Sequence, residues 1–225
     1  MRWRPCFIGT AAVVLIPEPL AALHRDPWLL VIEKPSGLLS QPGRGVHQQD
    51  SVITRLQQQD KELRLVHRLD RDTSGVLLLA RGLESLRRCS DLFARRLVQK
   101  LYVADVVGRL LGSGAITVPL ARLQRLPPRY GSHPEGRAAH TRWRSQLVNA
   151  DATRLWLIPL TGRSHQLRAH LAGLGHPIVG DPIYGDVNGS RLHLHAVALG
   201  FRHPFTGKRC RVRSQQHRPF PFGLR

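Results

Sequence analysis

Apolar residues in this chain come mostly in short runs cut by glycine, proline or Asn/Asp turns, and few stretches carry the three-and-four spacing of a helix. Residues 28–33 form a compact apolar run stopped by the turn formers Lys34, Pro35, Ser36 and Gly37, which predicts a strand followed by a turn. Val76-Leu77-Leu78-Leu79-Ala80 predicts a second, buried strand, and residues 99–107 a third in which alternation puts Tyr102 opposite Leu101 and Val103. Two further strands, 140–148 and 153–159, flank the turn Asn149-Ala150-Asp151. Between them and the third strand, residues 124–137 are rich in Pro, Arg and Gly without a clear period, and predict a mobile basic loop.

Three helices complete the pattern. Asp50 or Ser51 caps the first, whose Val52, Ile53 and Leu56 share a face. The second spans about 83–97, with Leu83, Leu86, Cys89, Phe93 and Leu97 at helical intervals and Arg87, Arg88, Arg95 and Arg96 mostly on other faces. The third starts from Ser164 as cap, buries Leu167, His170, Leu171 and Leu174, and stops at Gly175, with Arg168 about 100° around from Leu167 at the border of the stripe. Local pattern alone therefore gives a mixed α/β domain.

Charge narrows the partners. The chain holds 34 Lys+Arg against 15 Asp+Glu, a net +19 at pH 7. That is the electrostatic footprint of a protein that meets a polyanion. No apolar run approaches the roughly 20 residues needed to span a bilayer, and the charge is scattered along the chain, so RNA is expected rather than a membrane. Cys6, Cys89 and Cys210 are odd in number and far apart, which predicts no disulfide framework or CxxC metal site and a reduced, cytoplasmic setting. The start, Met1-Arg2-Trp3-Arg4 and the apolar run 6–16, mimics a secretory leader but lacks a convincing small-residue cleavage site.

The most informative string is His67-Arg68-Leu69-Asp70-Arg71-Asp72-Thr73-Ser74-Gly75, which runs straight into the strand 76–80. A carboxylate set between two guanidiniums can be aimed, as nucleophilic or general-base chemistry requires. The string resembles the signature of RluA-type RNA pseudouridine synthases. So do Lys34-Pro35-Ser36-Gly37-Leu38, read here as mainly structural, the trio Lys100, Tyr102 and Ala104, the segment 161–171, and the stretch 174–185. These motifs follow the family's order over nearly the whole chain.

The resemblance implies an α+β pseudouridine synthase fold, a mixed, largely antiparallel sheet flanked by helices, with residues 20–225 as the catalytic domain. Residues 1–19 would be an extension, with no separate RNA-binding domain ahead. It implies Asp70 as the catalytic aspartate, Tyr102 against the target base, Arg168 paired with Asp70, and Arg163 as the lesser candidate for that pairing. Arg68 would fill the space left by the base, with His67 and Leu69 beside it in the substrate site. The reaction breaks C1′–N1 of uridine, turns the uracil and joins C1′ to C5; no atom is lost, so neither a metal nor an organic cofactor is required. No obligate protein partner is implied, and a monomer is expected.

Other features are weaker. His165, His170, His176, His193 and His195 lack a metal-finger or zincin spacing, and His170 is expected to be a hydrogen-bonded core residue. Asp181 is a runner-up acid or base. Arg209, Arg211 and Arg213 alternate near the end, as phosphate contacts would. A non-catalytic RNA-binding factor is one rival reading. A glycosidic hydrolase is another, but it usually needs two opposed carboxylates, and only Asp70 has a clear setting.

Overall fold

The computed structural model describes residues 20–185, 190–216 and 219–220. The leader-like start, Cys6 and the last residues of the basic tail lie outside them.

The strands are β1 (Ala22–Arg25), β2 (Leu29–Lys34), β3 (Leu63–Leu65), β4 (Ser74–Arg81), β5 (Gln99–Val107), β6 (Ser113–Ile116), β7 (Leu120–Gln124), β8 (Arg129–Ser132), β9 (Thr141–Val148), β10 (Ala152–Pro159), β11 (Leu194–Arg202) and β12 (Arg209–Arg213). The helices are α1 (Val52–Gln57), α2 (Gly82–Ala94) and α3 (Gln166–Gly173). One large sheet runs β1-β2-β4-β11-β5-β10-β9-β6, with β3 beside β4 and β12 beside β11. Every pairing in it is antiparallel except β4 with β11. This is the expected mixed, largely antiparallel sheet.

Strand alternation builds the core on both faces of the sheet. Leu29, Val31, Val76, Leu78 and Ala80 point to one face and pack with Cys89 of α2 and with Phe201 and Val212. Leu30, Ile32, Leu77 and Leu79 point to the other, against Val52 of α1, Leu63 and Leu69. Burial on both faces explains why 76–80 is continuously apolar rather than alternating. A third cluster joins Ala104 and Val106 of β5 and Leu155 and Leu157 of β10 to Leu167 and Leu171 of α3.

The two halves of the sheet meet where β4 and β11 pair over only two positions, Ser74 with His195 and Gly75 with Ala196. Gly75 has φ +110°, and a Cβ there would sit 2.2 Å from the Ala196 carbonyl oxygen, so only glycine permits this approach. A buried polar chain backs the junction. Ser214 Oγ donates to Glu33 Oε1 (3.0 Å) and so accepts from His195 Nε2 (2.8 Å), while His195 Nδ1 lies 2.8 Å from Ser74 Oγ. Burial, with the Arg191 guanidinium adding to it, pushes the His195 pKa down to about 4. The ring is neutral at pH 7.

Several elements differ from expectation. Ser51, not Asp50, caps α1 through a reciprocal bond pair with Thr54, and Asp50 instead pairs with Arg55 at 2.6 Å. Helix α2 ends at Ala94, because Arg96 takes a left-handed turn (φ 58°), and Leu83 and Leu97 are exposed rather than part of its buried stripe. The basic segment 124–137 is not all loop: β7 and β8 form a two-stranded hairpin across it, held by alternation too short to read against so many Pro and Arg residues. Helix α3 starts one residue later than expected, at a left-handed His165 (φ 52°) with no side-chain cap. The Gln166 side chain instead ties down the turn ahead of the helix, its Oε1 accepting from Arg163 N and Thr161 Oγ1. Leu174, expected in the buried stripe, is exposed past the helix end.

Candidate active site

The turn after β2 explains why the loop carrying Asp70 is rigid. Lys34 is fully buried and spends its three ammonium hydrogens on the carbonyls of Pro35 (2.8 Å), Leu38 (2.6 Å) and Arg71 (2.8 Å). Burial draws its pKa down, opposed by the charges of Asp72 and Asp70. Ser36 Oγ donates to Asp72 O (2.7 Å), and Ser40 Oγ both donates to Leu69 O (2.7 Å) and accepts from Leu69 N (3.1 Å). The segment 34–40 thus clamps the backbone on both sides of Asp70.

Across the cleft, the first turn of α3 presents Arg168, which is only 3% exposed. Its Nε and Nη2 each donate to one oxygen of Asp181 at 2.7 Å, leaving Nη1 to face Asp70 Oδ2 at 3.4 Å. Asp181 is fully buried and also accepts from the backbone N–H groups of Ile183 and Tyr184. Both its oxygens are taken, so the runner-up role of acid or base does not fit it; it orients Arg168. Its neighbour Gly180 (φ +72°) leaves a Cβ no room, 1.9 Å from Arg191 O, which fixes the turn that delivers Asp181.

The seven residues singled out from the sequence, His67, Arg68, Leu69, Asp70, Tyr102, Arg163 and Arg168, line one cavity of about 310 Å³. That volume is of the size that holds a small ring system. Tyr102 reaches it from β5, where it sits opposite Ala196 and Leu157. Burial, and secondarily the charge of Asp70, raise its phenol well above the usual range, so it is a neutral donor. Arg68 is exposed at the mouth and pairs with nothing among the described residues; Asp72 is bound instead by Arg71 at 3.0 Å. Arg163 is anchored by donation from Nε to Ala138 O (3.0 Å) and faces the cavity rather than Asp70.

His67 serves the wall. Its Nε2 accepts from Leu78 N (3.1 Å), its ring stacks on Phe93 at 4.7 Å, and burial pushes its pKa down to about 3.

Sequence reasoning missed part of the lining. Phe93 and Thr161 complete the wall, and Lys100, whose Nζ donates to Thr161 O (3.0 Å), has its pKa lowered to about 8 by burial and by Arg96. Tyr184 lies under Arg168, its ring 5.3 Å from the guanidinium carbon. It belongs to the stretch 174–185, from which the sequence singled out only Asp181 as a candidate acid or base. The other histidines have their own partners: His170 bonds Thr141 Oγ1 and Val118 O, His176 bonds Val107 O, and His193 faces Asp105.

A mixed sheet that brings a clamped aspartate, a helix-borne arginine and a strand tyrosine around one pocket defines an RNA-modifying enzyme of a known class. Residues 28–173 match the family model described as RNA pseudouridylate synthase, and the chain belongs to that family: it is an RNA pseudouridine synthase, an isomerase of the RluA type. It is 40% identical over 197 residues to the dual-specificity RNA pseudouridine synthase RluA of Yersinia pestis, covering 84% of this chain and 95% of that protein. Against the protein of the same name from Escherichia coli (strain K12) the identity is again 40%, over 198 residues, covering 84% and 90%. Among solved structures it resembles human RNA pseudouridylate synthase domain containing 1 (25% identity, TM-score 0.74, covering 90% of this chain and 86% of that one). Human RNA pseudouridylate synthase domain containing 4 is similar too (26% identity, TM-score 0.68, covering 87% and 88%).

Proposed function

We propose that this enzyme isomerises one or more uridines in structured RNA, ribosomal or transfer RNA or both, after swinging the base out of its stack. The observation that carries this reading is that Asp70, Tyr102 and Arg168, far apart in sequence, converge on a single cavity lined also by Arg68, which pairs with nothing among the described residues. Flipping a paired base costs a few kcal/mol. The planar guanidinium of Arg68 fills the gap the base leaves, and the flipped uracil enters between Tyr102 and Leu69.

Asp70 then initiates cleavage of C1′–N1, by attack at C1′, by addition at C6, or by removing the C2′ proton. Each route uses a carboxylate held in a fixed direction, which Arg168 and the clamp at 34–40 supply. Uracil turns within the cavity, C1′ bonds to C5, and the proton lost from C5 is matched by one gained at the freed N1, with Tyr102 alongside as a neutral donor and acceptor. His67 and Arg163 shape the wall and hold the nucleotide's flank.

The surrounding positive surface, including Arg209, Arg211 and Arg213 exposed along β12, holds phosphates without reading sequence. Residues 20–225 act as one catalytic domain, in the cytoplasm and as a monomer. No helix among the described residues is long and apolar enough to cross a membrane.

A hydrolytic reading is poorly supported, because the second carboxylate near the site, Asp181, is buried behind Arg168. The test is to incubate the purified chain with ribosomal and transfer RNA transcripts and map the pseudouridines formed by carbodiimide labelling. Mass-neutral conversion of discrete uridines supports isomerisation of these substrates; released uracil, or no conversion in either RNA, contradicts it.

A further inference from the structure

The residue before Gln166 occupies an unusual position. His165 adopts a left-handed backbone that non-glycine residues rarely take, and its imidazole enters the cavity beside Asp70. Its Nε2 stands 3.9 Å from Asp70 Oδ2, longer than a hydrogen bond but within ionic reach. The ring is wedged edge-on between Tyr130 of β8 (5.3 Å) and Tyr184 (5.8 Å). Nδ1 lies 3.2 Å from the Tyr184 hydroxyl.

The tautomer of this ring follows from the needs of the Tyr184 hydroxyl. The Tyr184 oxygen already accepts from the backbone N–H of Tyr130 (2.9 Å), and its own hydrogen has no other acceptor than His165 Nδ1 among the described residues. Tyr184 is buried, so its hydroxyl hydrogen needs an acceptor; donation to Nδ1 supplies one and leaves Nδ1 unprotonated. Burial, reinforced by the charges of Arg168 and Arg68, lowers the pKa of the ring against the pull of Asp70 and Asp181, so the ring is neutral. A neutral ring with a bare Nδ1 keeps its hydrogen on Nε2, the atom that faces Asp70.

We infer that His165 is a positioning residue for Asp70: held in the Nε2–H form by the Tyr184 hydroxyl, it offers Oδ2, the oxygen that Arg168 also faces, a second, uncharged donor. The relay begins at the backbone of the β7–β8 hairpin, whose Tyr130 N–H holds the Tyr184 hydroxyl in place beside the ring. Such hydrogen bonds are often long before substrate arrives and shorten in the loaded site. The inference rests on the reading of Asp70 as the catalytic group.

Two substitutions separate positioning from backbone fit. In His165→Gln the side-chain amide nitrogen reaches the place of Nε2; in His165→Asn it reaches only that of Nδ1, although Asn accommodates the left-handed backbone better. With saturating RNA, His165→Gln should keep kcat within about threefold of wild type, whereas His165→Asn should lose roughly tenfold or more in kcat with KM changed less than about twofold, as loss of a bond to a charged group predicts. NMR of ring-labelled histidine in the full chain should show His165 as the Nε2–H form, and Tyr184→Phe should shift it toward a mixture.

Equal kcat in the two His165 variants, or an Nδ1–H ring in the wild type, overturns the inference while Asp70→Asn remains inactive. An active Asp70→Asn enzyme overturns both this inference and the assignment of Asp70, and so marks the two failures apart.

Discussion

Asp181 grips Arg168 through both carboxylate oxygens at 2.7 Å, and this leaves a single guanidinium nitrogen, at 3.4 Å, for Asp70. Two carboxylates thus share one cation, and the buried one decides where the cation points. Removing one partner of a buried pair costs about 3–5 kcal/mol. Asp181→Asn should therefore lower thermal stability and reduce pseudouridine formation by more than tenfold at unchanged RNA affinity. A filter-binding assay beside a single-turnover assay checks this. Arg168→Lys should fare no better, because an ammonium has no fork to bridge the two acids.

The ammonium of Lys34 is enclosed by three carbonyl oxygens. Lys34→Met fills the same volume yet leaves those oxygens without their donor, a loss of about 1–3 kcal/mol for each group left unsatisfied. Differential scanning calorimetry should show Tm falling by about 5 °C or more. A variant as stable as wild type would mean that the clamp on the Asp70 loop lies elsewhere.

Close backbone approach makes Gly75 irreplaceable. A methyl at this position would meet the Ala196 carbonyl at 2.2 Å in a region of positive φ, and both neighbours are backbone that cannot swing aside. Gly75→Ala should separate β4 from β11, reducing soluble yield and destabilising the fold by more than about 2 kcal/mol in urea unfolding. Gly207→Ala serves as the control: it also has positive φ but nothing within 4 Å, so it should cost less.

Acid should weaken the fold through His195. Its pKa is about 4 in the folded chain against an ordinary 6.5, so between those values the unfolded chain binds a proton that the folded chain excludes. The contribution is complete above pH 6.5 and drains away as pH falls toward 4, at up to about 1.4 kcal/mol per pH unit. Urea unfolding at pH 7 and pH 5 should show this loss, and His195→Gln should show a smaller one. An identical drop in both proteins would assign the acid sensitivity to other groups.

What was legible in the sequence was local chemistry and long apolar pattern. The strands at 28–33 and 76–80 announce themselves because both faces are buried, and the string around Asp70 stands out because so many of its residues fall at once at the positions of the RluA-type signature. The cap of α3 was misread for a physical reason: Ser164 is a good capping residue, but the chain turns left-handed at His165 and Gln166 ties down the preceding turn through Arg163 N and Thr161 Oγ1, and no propensity scale anticipates that. The hairpin β7–β8 was hidden because its strands are short and punctuated by Pro127 and Pro128 at the turn. Asp181 was read only as a runner-up acid or base, and Tyr184 was not picked at all, because their partners, Arg168 and His165, come from another element, and only the folded chain brings them within bonding distance.

The central claim is that one carboxylate, on the clamped loop between β3 and β4, drives the isomerisation. The most direct measurement is pseudouridine formed by Asp70→Asn in ribosomal and transfer RNA, read beside its affinity for the same RNA. Asparagine keeps the shape of the side chain and its acceptor oxygen while removing the charge. The variant should bind RNA within about twofold of wild type and form no pseudouridine; conversion at the wild-type rate would contradict the account.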